Sequence, residues 1–160
     1  MGCLNQCRLR NLKRFQTGAA ALETILLMPV ILMLLYAIAQ YSLIFLSIQL
    51  FNYAAEESLR NSISYVDENC YYGGSCDVDD LKVHITSSAE AIISSYTGSE
   101  GNLGKLFGQT LDASSLEIDP DSNNFCCKVT ITYNYKQHPF LPSFGLPVPD
   151  ELKSTATLNL

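Results

Sequence analysis

The chain has 160 residues, with 16 acidic and 10 basic side chains and a formal net charge of −6. That is room for one modest domain plus a membrane segment. Every acid lies after residue 18, and an acidic body repels phosphates, which argues against nucleic acid as a partner.

Residues 1–18 read as a basic leader. Arg8, Arg10, Lys13 and Arg14 fall here, with no acid and no hydrophobic periodicity. Without the leader, six basic and sixteen acidic side chains remain, a formal charge of −10. The positive-inside rule puts the leader in the cytoplasm and the acidic body outside. Met1-Gly2-Cys3 looks like an acylated start. However, Gln6 stands where the myristoylation pattern wants Ser or Thr, and no apolar run precedes Cys3.

A membrane-length segment follows. Residues 24–39 are apolar except for Thr24 and Pro29, and Ala19–Leu22 extends the run. About 20 residues suffice to cross a hydrocarbon core of about 30 Å. The division expected is a leader over 1–18, a transmembrane helix over 19–40 and an extracytoplasmic domain over 41–160. One carboxylate, Glu23, sits in the run. Such an acid is costly and usually functional. Gly18, between leader and helix, suggests a processing site that would make Ala19 the new N-terminus. The α-amino group of Ala19, its own or a neighbour's, is then the nearest cation for Glu23. The helix macrodipole favours the carboxylate there as well. The alternative is a solvated, idle Glu23 in the headgroup zone. Pro29 removes a backbone hydrogen bond and predicts a kink, which membrane helices tolerate.

Beyond the span the pattern becomes one-sided. Ile38, Tyr41, Phe45, Ile48, Phe51, Ala55 and Leu59 form a helical stripe, with Gln40, Gln49, Asn52, Glu56, Glu57 and Arg60 on other faces. One continuous helix to about residue 65 is expected, roughly 70 Å long at about 1.5 Å per residue. Residues 67–78 form a turn-rich connection around Gly73-Gly74. A second helix is expected over Asp79–Tyr96, capped by Asp79 or Asp80, with Leu81, Ile85, Ala89, Ile92 and Ile93 as its stripe and Gly98 as its stop. Residues 97–114 read as loop, with a short turn over Leu103–Phe107.

The last third reads as strands. Residues 115–119 form a short strand that ends at a turn over Pro120–Asn124. Residues 125–135 alternate, with Phe125, Cys127, Val129, Ile131, Tyr133 and Tyr135 on one face. A loop carrying Pro139, Pro142, Pro147 and Pro149 leads to a closing strand over Lys153–Leu160. The fold class is α+β: a long N-terminal transmembrane helix continuing into a small domain with a second helix and a three-stranded antiparallel sheet.

The six cysteines divide across the membrane. Cys3 and Cys7 are on the reducing side, while Cys70, Cys76, Cys126 and Cys127 are exported. Four cysteines in an oxidising compartment usually pair. Cys70 and Cys76 flank a Gly-Gly turn that a local bridge could close. Cys126 and Cys127 point to opposite strand faces, which disfavours a bond between them and directs them to the 70/76 loop. A zinc site is the alternative, but the spacing is not a usual ligand spacing. Connectivity stays open.

The stretch GAAALETILLMP over residues 18–29, with VILMLL after it, resembles the signature of the TadE-like family, minor pseudopilins of the tight-adherence (Flp, type IVc) pilus system. Gly18, Glu23 and Pro29 occupy the family's glycine, glutamate and proline positions. The resemblance covers about residues 17–60 and is looser over the VTITYNY strand, the proline-containing loop and the closing strand. It implies cleavage between Gly18 and Ala19 by a prepilin peptidase. It also implies a single-pass bacterial inner-membrane protein that works with other pilin and pseudopilin subunits and the inner-membrane assembly platform, in contact with the lipid bilayer. Major pilins of the system carry Tyr after the glutamate, where this chain has Thr24, and have far smaller soluble domains. Both departures favour a minor subunit and leave TadE versus TadF open.

No constellation for catalysis appears. His84 and His138 stand alone, and no nucleotide loop, metal-protease motif or paired-carboxylate signature is present. Neither an enzyme nor a cofactor is expected. The competing reading is a single-span anchored binding module that keeps its leader.

Overall fold

The computed structural model describes residues 17–65, 78–98, 103–121 and 128–158, excluding the side chains of residues 17, 19 and 78. The leader up to residue 16, the Gly73-Gly74 connection, the turn at 122–124, Phe125 and all six cysteines lie outside the described residues. The chain divides into two compact units, Met1–Ala39 and Gln40–Leu160.

In the first unit the described residues are all helical. They belong to α1, Thr17–Tyr65, which runs on through the unit boundary and has Pro29 inside it. Leu22, Ile25, Leu26, Leu32 and Leu34 are more than half exposed. The polar Thr24 satisfies itself: its hydroxyl donates to the carbonyls of Ala20 (2.8 Å) and Ala21 (3.0 Å). A hydroxyl bonded back to its own helix suits lipid, where a free donor is costly.

The second unit holds the rest of α1, helix α2 (Val78–Thr97), a small hairpin of β1 (Lys105–Leu106) and β2 (Gln109–Thr110), and strands β3 (Leu116–Asp121), β4 (Lys128–Tyr133) and β5 (Leu152–Thr157). Strands β3, β4 and β5 pair antiparallel in that order. The α+β class with a second helix and a three-stranded sheet is what forms. Register sets Ile118 opposite Ile131 and Ile131 opposite Ser154, so one face is continuous across the sheet. Val129, Ile131, Tyr133, Leu152, Ser154 and Ala156 are buried on it. Period-two alternation in β4 produces this face.

Helix α2 buries Leu81, Ile85, Ala89 and Ile93 as its spacing predicts. Asp79 and Asp80 sit inside its first turn, where the macrodipole favours carboxylates. Its end is at Gly98, whose amide donates to the Ser94 carbonyl at 2.9 Å.

Three expectations change. The stripe on α1 is out of phase at its start: Ile38, Tyr41 and Phe45 are exposed, whereas Gln40, Ile44, Ser47, Phe51, Ala54, Ala55, Ser58, Leu59 and Ser62 are buried. The buried serines are small and bond back to the carbonyls of Leu43, Ala55 and Leu59, so the helix packs closely without an unpaired hydroxyl. Pro120 and Asp121 continue β3 instead of starting a turn. An edge strand needs ladder donors on one side only, so proline is tolerated. Residues 105–110, read as loop, form a hairpin. Its two-residue connection, Phe107-Gly108, has positive φ at both positions (49° and 89°), the primed-turn geometry that matches strand twist. Phenylalanine is an uncommon residue there, and its ring meets Phe140 edge-on at 5.3 Å.

Candidate functional site

The features that hydropathy singles out lie on the first part of α1. No part of its most apolar window is buried. Burying apolar surface yields about 25 cal/mol per Å², so a bare helix of this length calls for lipid or other apolar helices around it. A single N-terminal helix of this kind indicates membrane anchoring.

Gly18 lies in the first turn and is exposed; a Cβ there would meet nothing within 4 Å. The fold therefore imposes no steric demand for glycine at 18. Ala19 is helical, and its side chain is outside the described residues. Glu23 is exposed and makes no ion pair or hydrogen bond among the described residues. It is the only charged side chain between Gly18 and Glu56. Pro29 is exposed within a helix that continues on both sides.

The two histidines are kept apart. His84 on α2 stacks on Tyr65 at the end of α1, centroids 4.4 Å apart. His138 sits in the β4–β5 loop, where its carbonyl accepts from the Tyr133 hydroxyl at 2.7 Å. Among the described residues no three His, Cys, Asp or Glu side chains are grouped to hold a metal.

A cleft of about 460 Å³ lies between α2 and the segment before β3, lined by Ser87, Glu90, Ser94, Leu103, Leu111 and Asp112. Its Asp112 is occupied. Hydrogen bonds from Ser114 and Ser115 hold its carboxyl below the usual range and close an Asx-type turn. The acid thus fixes the chain entering β3.

What hydropathy misses is a contact just past the apolar run. Tyr41 is exposed, and its hydroxyl donates to the carbonyl of Pro147 at 2.7 Å. A contact across 106 residues leaves no local signal, though the four prolines of the loop mark it as irregular.

Residues 18–60 match the model of a protein family described as TadE-like protein. No curated protein and no solved structure matches the chain. The matched segment begins at Gly18 and covers most of α1. Over residues 18–60 the chain is similar to the TadE-like family.

Proposed function

We propose that the protein is a minor pseudopilin, a membrane-anchored structural subunit in the biogenesis of an adhesive Flp/Tad pilus. The observation that carries this reading is the overlap of the family segment with an uncovered apolar run at the start of α1 that holds a single acid, Glu23. In this reading a prepilin peptidase cuts between Gly18 and Ala19 at the cytoplasmic face of the inner membrane. A glycine in a helix costs about 1 kcal/mol relative to alanine. The open space around Gly18 leaves recognition by a peptidase as a reason to keep it.

Cleavage creates an ammonium group at Ala19. Glu23 of the same or a neighbouring subunit pairs with it, which offsets the cost of an acid in an apolar setting. Residues 19–40 span the membrane and 41–160 lie outside. The partners are other pilin and pseudopilin subunits and the inner-membrane assembly platform. Cys70, Cys76, Cys126 and Cys127 pair as disulfides, worth about 2–4 kcal/mol per bridge, with their connectivity open. The role is structural, with no catalytic step.

Mass-spectrometric reading of the N-terminus of membrane-extracted protein tests the processing. A start at Ala19 is expected. Retention of Met1 in cells holding the peptidase overturns it and favours the anchored binding module. Glu23→Gln tests assembly: export and protein level stay normal while co-purification of other pilin subunits and surface piliation fall. Normal piliation in that variant removes the role of Glu23.

A further inference from the structure

We infer that the β4–β5 loop carrying Phe144, together with Tyr41, Phe45 and Leu46 of α1, rests on the lipid surface where the membrane helix emerges. The inference builds on the membrane anchoring described above. Depth follows from counting along one helix. Glu23, the only charge between Gly18 and Glu56, marks the entry into the apolar run. A hydrocarbon core of about 30 Å takes about 20 residues, which puts the far boundary of the 19–40 span just before Tyr41, with the interfacial zone beyond it. Tyr41, Phe45 and Leu46 fall in that zone, and they are 43%, 61% and 54% exposed. In water three such neighbours would be a poor surface. At a bilayer interface they have the aromatic and apolar character that such a zone favours.

The loop is joined to this stretch of α1. Tyr41 donates to the Pro147 carbonyl at 2.7 Å. Phe144 is three residues away in sequence, so its Cα lies within about 11 Å of that of Pro147, and it is 67% exposed. Residues 137–149 contain no Asp, Glu, Lys or Arg. Lys136 and Asp150, at the two ends of this stretch, pair with each other at 3.2 Å. Pro139, Pro142, Pro147 and Pro149 have no N–H, which lowers the number of donors needing water. An exposed aromatic on an uncharged, donor-poor loop beside an emerging helix fits lipid. The acidic body is repelled by anionic headgroups, so the contact is apolar in nature.

The chain contains no tryptophan, so one introduced indole reports its own surroundings. The full-length protein is reconstituted in phosphatidylethanolamine and phosphatidylglycerol vesicles doped with phosphatidylcholine brominated either near the headgroup or near the chain ends. Phe144→Trp is expected to show blue-shifted emission and to lose most of its fluorescence to the shallow bromines, with less loss to the deep ones. Phe45→Trp, on regular helix, should do the same. Leu32→Trp, inside the span, should be quenched by the deep bromines, and Val83→Trp, exposed on α2, should be unaffected. If Leu32→Trp is quenched while Phe144→Trp behaves like Val83→Trp, anchoring stands and the lipid seat is overturned; a covering protein subunit gives this result. If Leu32→Trp is unquenched too, the anchoring and the seat both fall.

Discussion

Ser154 on β5 donates a hydrogen bond to the side-chain oxygen of Asn52 on α1, joining residues 102 positions apart. Ser154 is 2% exposed and stands between Leu152 and Ala156 on the buried face of its strand. The bond therefore ties the first helix to the last strand within the core. Ser154→Ala removes the donor and leaves the Asn52 oxygen short of a partner, at a cost of about 1–3 kcal/mol. Urea titration of the full chain in detergent, followed by near-ultraviolet circular dichroism, should show the lowered midpoint. Adding Asn52→Ala should cost less than the sum of the two single changes, because the pair is coupled.

Tyr133 gives the sheet an alkaline limit. Burial first, and then neighbouring Tyr135 and Asp112, push its hydroxyl up to about 12. The unfolded value is about 10, so the folded state binds the proton more tightly. The resulting stability is fully present below pH 10 and is lost as pH rises toward 12. Tyr133→Phe gives up the hydrogen bond to His138, at about 1 kcal/mol near neutrality. It should also flatten the decline of stability between pH 10 and 12, which denaturation midpoints measured across that range would reveal.

Two glycines predict opposite outcomes. Gly104 has φ +73°, and a Cβ there would fall 2.5 Å from the Thr97 hydroxyl and 2.9 Å from the Thr97 carbonyl oxygen. Gly104→Ala forces this contact and an unfavourable backbone, destabilising the domain by about 1–3 kcal/mol. Gly18→Ala meets open space in a helix and should leave the thermal midpoint of the domain unchanged. Under the proposed processing it blocks cleavage, so the protein accumulates at full length on a denaturing gel.

Gln40 is 1% exposed, and among the described residues both polar atoms of its amide lack a hydrogen-bond partner. A buried amide left unpaired costs about 1–3 kcal/mol. Gln40→Met keeps the length and removes the polar atoms, so it should raise the thermal midpoint in detergent. A fall would show that the amide holds a stabilising contact.

Much of the fold was legible because the relevant signals are local. The alternation of Val129, Ile131 and Tyr133 predicted a buried face of β4, and all three are fully buried. The stripe of α2 and its end at Gly98 followed from 3.6-residue spacing and a glycine stop. The hairpin at 105–110 was not legible, because Phe107 is not a turn-forming residue; its positive φ accompanies the contact with Phe140. Pro120 was read as a turn because its place at a sheet edge depends on β4 lying on one side and, among the described residues, no further strand on the other.

The sequence by itself determined that residues 19–39 form an apolar run of membrane length and that Glu23 is its only acid, since length and transfer free energy depend on composition alone. It also carried the family resemblance through Gly18, Glu23 and Pro29. The tertiary structure decided which face of α1 meets the sheet. Hydropathy ranks side chains by their cost in water and chose Tyr41 and Phe45. Packing inside the domain selects for size and internal hydrogen bonding, and it chose Ser47, Ser58 and Ser62, each buried and bonded to its own helix. The larger apolar side chains were thereby turned outward at the point where the helix leaves the apolar run.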